Sequence, residues 1–517
     1  MGEKKTRRVG PSILFPGTLF PLLPLLGLTG GCVTFPFSGQ PALEDEIEEI
    51  LRTPPLNQVN WGIRIADPDR GEILYSRNAH RKFVPASNMK VLATSTALSL
   101  LGPEYRYETD FYGVGSMGED PGVLEGDLLL RASGDPTLSE RFYPSAEAPL
   151  DSLARGLWES GLRSVTGSLV VDVSTWDSTT VPGSWMVQNL AGVSGATGGA
   201  FSIAEGVLTV EVTAGAEAGS PAQARWWPHS EEDFVSVQMA TVERDTVQRR
   251  RTVEYLPESR RLRIQGAVET GRVDTIRIGQ RDPVRLASAA MLRALERQGV
   301  RVRGGVRIAW DRGERLGPGT CTTGSDDPPD QACEGAVRLT GISSPPMSKI
   351  VKAILEPSQN WMTEQLVKTL GAERGEGGSW QEGFAIEEKF LAEEVGVDSL
   401  DVFYQDGSGL SAYNLVTPRA MVRILEYMRT SPHATIFKDA LASPGEEPGT
   451  LSRRLLSLEG RVFAKTGTIN HVNSLSGYLI TDSGRELIFS ILTNGSGISS
   501  ALVRAGIDQV VETLARR

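Results

Sequence analysis

The pattern of elements predicts an α/β chain whose main body is interrupted by a long β-rich stretch. Three observations carry this. Near the amino end a strand–turn–strand pattern runs into a helix that is apolar nearly all round. Near the carboxyl end three strand-like runs follow one another and close in a helix. Between them, over 108–336, the chain breaks into short alternating runs separated by turns.

Taken in order, the chain begins with Lys4, Lys5, Arg7 and Arg8 and then an apolar stretch through Leu28. Residues 1–31 read as an export signal; Pro16, Pro21 and Pro24 and the short length argue against a bilayer span. Thr29-Gly30-Gly31-Cys32 resembles a lipobox, which makes Cys32 a candidate for lipidation and a membrane anchor, although Thr29 stands where that pattern prefers Leu. Residues 33–42 read as a tether. The main body takes up 43–107. Trp61 to Ala66 alternates, Asp67-Pro68 turns, and Glu72 to Tyr75 pairs back, a hairpin pattern. Ser87-Asn88-Met89-Lys90 then opens a helix that runs to Leu101 and stops at Gly102-Pro103. Lys90 lies one turn beyond Ser87, on the same helix face, so its amine can reach the hydroxyl. A buried amine whose pKa is lowered can act as base on a serine. The plain alternative is a helix cap and a surface lysine.

The stretch 108–336 holds strand patterns at Ser168–Asp172, Gly206–Val212 and Arg261–Gln265, and helical patterns over Leu150–Ser160 and Val284–Gln298. A nested β-rich unit is expected over about 205–282. The main body resumes at 337 and runs to Arg517. There Ser358-Gln359-Asn360 opens a helix through Leu370-Gly371. Lys465-Thr466-Gly467-Thr468 lies on the first of three antiparallel strands, with Leu475–Ile480 and Glu486–Thr493 joined by a turn at Asp482–Gly484. A helix over Ala501–Leu514 ends the pattern. On such a strand Lys465 can meet an anion, and Gly467 lets a ligand backbone come close.

SxxK and SxN strings each occur by chance roughly once or twice in a chain this long. All three strings in this order, each beside a suitable element, are what carry weight. Together they are similar to the signature of penicillin-binding proteins and serine β-lactamases. The chain resembles the D-alanyl-D-alanine carboxypeptidases/endopeptidases, the low-molecular-mass class C penicillin-binding proteins. The likeness includes Asn78, Pro85-Ala86-Ser87, Ser133-Gly134-Asp135-Pro136-Thr137-Leu138, Asp406 to Ser411 with Tyr413-Asn414-Leu415, and Gly449-Thr450-Leu451. The 267 residues between Lys90 and Ser358 match that class, since a compact β-lactamase has far fewer there. No Glu-x-x-Leu-Asn string lies between Asn360 and Lys465, which argues against a class A β-lactamase.

The resemblance implies a β-lactamase/transpeptidase-like body, an antiparallel sheet flanked by helices. It implies peptidoglycan stem peptides as substrate and β-lactams as acylating inhibitors, with no metal or cofactor. Ser87 would be the nucleophile and Lys90 its base. Ser358 would pass a proton to the leaving amine, and Asn360 would hold the substrate amide and orient Lys90. Lys465 and Thr466 would bind the terminal carboxylate, with the N–H groups of Ser87 and Thr468 as the oxyanion hole. A serine β-lactamase or esterase on the same scaffold, and a non-catalytic wall-binding protein, are the alternatives.

The export signal and the substrate that the resemblance implies predict an extracytoplasmic, periplasmic setting. A net charge of −11 over 517 residues argues against a general nucleic-acid binder. The run Arg249-Arg250-Arg251 with Arg260-Arg261 reads as a solvated hairpin face; contact with an anionic wall polymer is the sharper reading. Beyond Cys32 only Cys321 and Cys333 remain. They flank a Gly/Asp/Pro-rich loop and are expected to form a disulfide there, two free thiols being the alternative. With only four histidines and no Gly-x-Ser-x-Gly string, a Ser-His-Asp triad is disfavoured.

Overall fold

The computed structural model describes residues 42–228, 235–244, 251–259, 261–311 and 336–517. The leader expected over 1–31, the tether up to 41, Cys32, Cys321, Cys333, Arg249, Arg250 and Arg260 lie outside the described residues. Among the described residues no helix is long and apolar enough to cross a membrane.

Helix α1 (Leu43–Arg52) carries Glu44, Asp45 and Glu46 in its first turn and Arg52 in its last, as the helix dipole favours. Strands β1 (Asn60–Asp67) and β2 (Glu72–Arg77) form the hairpin that the alternation predicts. Helix α2 (Met89–Leu100) follows. Every residue from Met89 to Leu98 is buried, which is why its sequence shows no polar face.

The chain then leaves the main sheet. Strands β3 (Glu108–Met117) and β4 (Val123–Arg131) pair antiparallel, α3 (Ala148–Glu159) covers them, and β5 (Ser164–Val165) and β6 (Leu169–Asp172) run parallel to β4. Next come β7 (Val207–Thr213), β8 (Gln223–Trp227), β9 (Val235–Val242), β10 (Thr252–Leu256), β11 (Arg261–Glu269) and β12 (Val273–Gly279). They make two three-stranded sheets, ordered β12-β7-β8 and β10-β11-β9. Alternate residues of four of these strands, among them Val210, Met239, Ile264 and Ile276, share one core, so both sheets form a single nested unit. Helix α4 (Pro283–Gln298), capped by Asp282 and ended at Gly299 in the left-handed region, leads to β13 (Arg301–Val302) and β14 (Val306–Ala309). The return strand β15 (Ala336–Ser343) pairs antiparallel with β3, so the chain stays in the inserted region's seven-stranded sheet until Ser343.

Asp135 is buried in this region. One carboxyl oxygen accepts from Thr137 N and Oγ1, and the other has no hydrogen-bond partner among the described residues. Burial pushes the carboxyl up to about 7. The unfolded chain ionises this group more readily, so it lowers stability as pH rises from about 4 to about 7. Asp135→Asn should remove that fall, a few kcal/mol at most. Urea unfolding at about pH 4 and about pH 8 reads it, and identical pH slopes in the two proteins would show that the carboxyl is not isolated.

The main body resumes with α5 (Met347–Leu355), α6 (Asn360–Arg374), α7 (Trp380–Phe390), β16 (Val402–Phe403), β17 (Leu415–Val416), α8 (Pro418–Thr430) and α9 (Ala434–Asp439). Strands β18 (Val462–Ile469), β19 (Val472–Ile480) and β20 (Glu486–Asn494) form the expected meander, and α10 (Ser500–Ala515) closes the chain. Strand β20 also pairs antiparallel with β1, Ile63 facing Ile491, so the two chain ends build one sheet ordered β18-β19-β20-β1-β2. Nearly every residue of β19 and β20 is buried. Leu487, Phe489 and Ile491 face α1 and α10, while Ile488 and Leu492 face α2 and α8. With both faces covered, the period of two in β20 hides inside an apolar run, Leu487 to Leu492, broken only by Ser490.

Candidate active site

Ser87 stands on a short turn, Ala86–Asn88, that feeds α2. The main sheet grips this turn. Asn494 holds Val84 by both backbone groups, Ser474 Oγ donates to Pro85 O at 2.7 Å, and buried Asn88 donates to Lys465 O and Ser474 Oγ. Ala86 sits at φ +47°, a strained conformation that such a grip can maintain. Two glycines make room for it. A Cβ on Gly409 would lie 1.9 Å from Ala86 O, and one on Gly467 would lie 3.0 Å from Ser87 N and 2.2 Å from Ser474 Oγ. Gly467 therefore lets β18 run alongside the backbone of the nucleophile candidate.

Lys90 is fully buried below Ser87. Its Nζ lies 2.9 Å from Ser87 Oγ, 2.7 Å from Asn360 Oδ1 and 2.5 Å from Ser408 O. The last two partners can only accept, so a neutral amine spends its two N–H groups on them and turns its lone pair to the Ser87 hydroxyl. Burial pushes the amine down to about 7, against the pull of the Asp406 and Glu364 carboxylates. Asn360 keeps its Oδ1 toward Lys90 because its Nδ2 donates to Ser194 O at 3.0 Å.

A second serine–lysine pair faces the first. Lys465 Nζ donates to Ser358 Oγ at 2.8 Å and to Thr466 O at 2.8 Å. Lys465 is also fully buried, and burial, then the charge of Lys90, holds its amine well below the ordinary range. Thr466 Oγ1 donates to Thr450 Oγ1, linking the strand to the Gly449-Thr450-Leu451 turn. Thr468 follows on β18 as an exposed residue paired with Asn473. Ser87, Lys90, Ser358, Asn360, Lys465, Thr466 and Gly467 thus converge from three distant stretches of chain. His471 sits at φ +59° on the β18–β19 turn.

The sequence reading assigned no role to two buried carboxylates. Asp406 accepts from Gly409 N, Ser411 N, Asn414 Nδ2 and Trp185 Nε1 at 2.6–2.8 Å, and so folds the glycine loop that presents Ser408 O to Lys90. Glu364 accepts from Gly407 N, Ser408 N and Trp380 Nε1, fixing the same loop to α6. Burial, then the charge of Asp406, pushes Glu364 up to about 7. A signal existed: Glu364 lies four residues after Asn360 on one helix face, and Asp406 opens a loop already noted for its resemblance.

A serine at a helix start, a buried lysine amine within hydrogen-bond reach of it, and a second serine–lysine contact whose lysine lies on an adjoining strand form an arrangement suited to serine acyl transfer. The chain belongs to the D-Ala-D-Ala carboxypeptidase 3 (S13) family, whose model matches residues 43–315 and 323–517. It is 31% identical over 498 residues to a D-alanyl-D-alanine carboxypeptidase of an Actinomadura species, covering 92% of this chain and 85% of that one. It is 22% identical to D-alanyl-D-alanine carboxypeptidase DacB of Haemophilus influenzae, over 84% and 85% of the two chains. The fold is that of penicillin binding protein 4 (dacB) from Haemophilus influenzae, whose crystal structure matches with a TM-score of 0.75 at 22% identity, covering 91% of this chain and 99% of that one.

Proposed function

We propose that this chain is a serine-type D-Ala-D-Ala carboxypeptidase and DD-endopeptidase that acts on peptidoglycan stem peptides through an acyl-enzyme on Ser87. The observation that carries the reading is the contact between Ser87 Oγ and the buried Lys90 amine, held at about 7, with the Ser358–Lys465 pair beside it. Family membership supports the substrate class.

In this reading neutral Lys90 takes the Ser87 proton as Oγ attacks the carbonyl of the penultimate D-Ala. The N–H groups of Ser87 and Thr468 receive the developing oxyanion. Ser358, in contact with Lys465, delivers a proton to the departing amine. If that amine is a free D-Ala the step is a carboxypeptidase cleavage; if it belongs to a cross-linked stem it is an endopeptidase cleavage. Lys465 and Thr466 bind the carboxylate at the far end, and water releases the acyl group. A β-lactam presents its strained amide to the same serine. A crystal structure of the Haemophilus influenzae protein is complexed with a β-lactam, which supports that part of the reading.

The inserted region, taken as 108–336 and continuing through β15 to Ser343, builds one wall of this site through Ser194 and Trp185. Such a substrate places the protein outside the cytoplasm. Removal of residues 1–31, anchoring through lipid on Cys32, and a Cys321–Cys333 bridge belong to the same reading, since an oxidising extracytoplasmic space permits all three.

Mass spectrometry of the purified full chain after incubation with benzylpenicillin tests the reading. A retained adduct of the whole drug on the tryptic peptide Phe83–Lys90, absent in Ser87→Ala, is the expected result. Intact drug and no adduct would overturn it; hydrolysed drug and no adduct would point to a β-lactamase.

A further inference from the structure

Between Ser358 and Asn360 stands Gln359, and its side chain is held by the inserted region. Gln359 Nε2 donates to Glu205 Oε2 at 2.6 Å, while its Oε1 accepts from Met362 N and caps α6. Glu205 is 7% exposed and also receives the Arg141 guanidinium on both oxygens, at 2.6 and 3.2 Å. The backbone on both sides of this contact is unusual. Ala204 and Glu205 have φ of +57° and +55°, and Ser358 has φ of +65°. Residues other than glycine stay in that region only when their surroundings hold them.

The neighbouring contacts run the same way. Trp361 Nε1 donates to Thr197 O, and Gln365 Nε2 to Gly199 O. A Cβ on Gly206 would lie 2.7 Å from Trp361 Nε1, and one on Gly198 would lie 2.1 Å from Gln365 Oε1. Segment 194–206 is therefore moulded onto the first turns of α6, and the Glu205–Gln359 bond is its contact nearest in sequence to Ser358.

We propose that Glu205, braced by Arg141, is a positioning residue for acyl transfer: by gripping Gln359 it keeps Ser358 in its left-handed conformation, with Oγ against Lys465, and sets Asn360 against Lys90. The inserted region then shapes the chemistry as well as the cleft. This inference rests on the proposed acylation of Ser87. Glu205 touches no reacting atom in this scheme; its effect passes through Gln359.

The test measures benzylpenicillin acylation rate per titratable serine across pH in the full chain, for the wild type, Glu205→Ala and Glu205→Gln, beside the Tm of each. A cavity of about 240 Å³ lined by Arg141, Glu205, Trp227 and Arg277 lets water reach Arg141 once the carboxylate is gone, so the alanine variant can fold. Glu205→Ala should lose about tenfold to a hundredfold in rate per site, the scale on which misplaced catalytic groups act. The pH midpoint set by Lys90 should stay where it is. Glu205→Gln keeps an acceptor for Gln359 and should keep most of the rate. A merely structural Glu205 would lower Tm in the alanine variant and leave its rate per site unchanged, which would overturn the inference. A shifted pH midpoint would also overturn it, since the site would then have opened around Lys90. Failure of the wild type to acylate would overturn the proposed function and this inference with it.

Discussion

Replacement of Lys90 by methionine should slow acylation of Ser87 by benzylpenicillin by about a thousandfold, within the range that general-base catalysis supplies, while the protein stays folded. The wild-type rate should rise with pH through about 7, because the ammonium that dominates below that point cannot take the serine proton. The variant should lose this limb. Stability should move in a coupled way. The folded state holds Lys90 at about 7 and the unfolded chain holds it near its ordinary 10.5. Between those values the unfolded state binds more protons, so this group adds stability as pH rises and costs stability at neutral pH. Methionine removes that cost and fills the space, but it leaves Asn360 Oδ1 and Ser408 O unpaired, about 1–3 kcal/mol each. The net change in unfolding free energy is expected within a few kcal/mol, with a flatter pH dependence above about 7. Stopped-flow acylation and urea unfolding across pH read both effects. A variant that acylates at the wild-type rate would show that Lys90 is not the base.

The two lysines explain each other. Lys90 and Lys465 are both fully buried, and the charge of Lys90 adds to the penalty that burial puts on the Lys465 ammonium. Ser358, Asn360 and Ser87 are hydroxyl and amide groups that tolerate either protonation state of their lysine partner. The negative charge of Asp406 and Glu364 lies on the Lys90 side, and among the described residues burial and the charge of Lys90, rather than a carboxylate, set the position of Lys465. A proton therefore resides more readily on Lys90 than on Lys465. That order suits the proposed mechanism, in which the first step loads a proton on Lys90 and Lys465 meets an anionic substrate end that brings the missing charge.

Much of this site was legible in the sequence because each part is local. Ser87 and Lys90 share a helix turn, Ser358 and Asn360 open a helix, and Lys465 to Thr468 ride a strand whose apolar neighbours mark the meander. The hairpin of β1 and β2 announced itself by alternation. What escaped was set by distance along the chain. No pattern within Trp61–Ala66 says that it will pair with β20 more than four hundred residues on. Gln359 reads as a spacer in its motif, and its bond to Glu205, 154 positions earlier in the sequence, appears only when the intervening chain has folded back. Buried carboxylates such as Glu364 look like ordinary helix-surface residues in sequence, since polarity alone cannot reveal which donors will surround them.

Loss of the Asp406 carboxylate should damage stability and chemistry together, and the two readouts separate its roles. Fully buried, it satisfies two loop N–H groups, the Asn414 amide and the Trp185 indole. Asp406→Ala strands four donors, at about 1 kcal/mol or more apiece, so a loss on the order of 4 kcal/mol is expected in urea unfolding. Asp406→Asn keeps the volume and one accepting oxygen but turns an NH2 toward donors, and should lose most of the same amount. The loop also carries Ser408 O, which receives a Lys90 N–H, and Gly409, which packs on Ala86 O. Its loosening therefore reaches both the base and the turn that holds Ser87. In any fraction that remains folded, Lys90 loses the larger of the two negative charges that sustain its ammonium form. The acid limb of the acylation profile should then shift below about 7, the direction opposite to that expected from simple hydration of the site. Wild-type stability in both variants would remove Asp406 as the organising centre of the loop. A limb that moves upward would show that water entry, rather than the lost charge, governs Lys90 once the loop is disturbed.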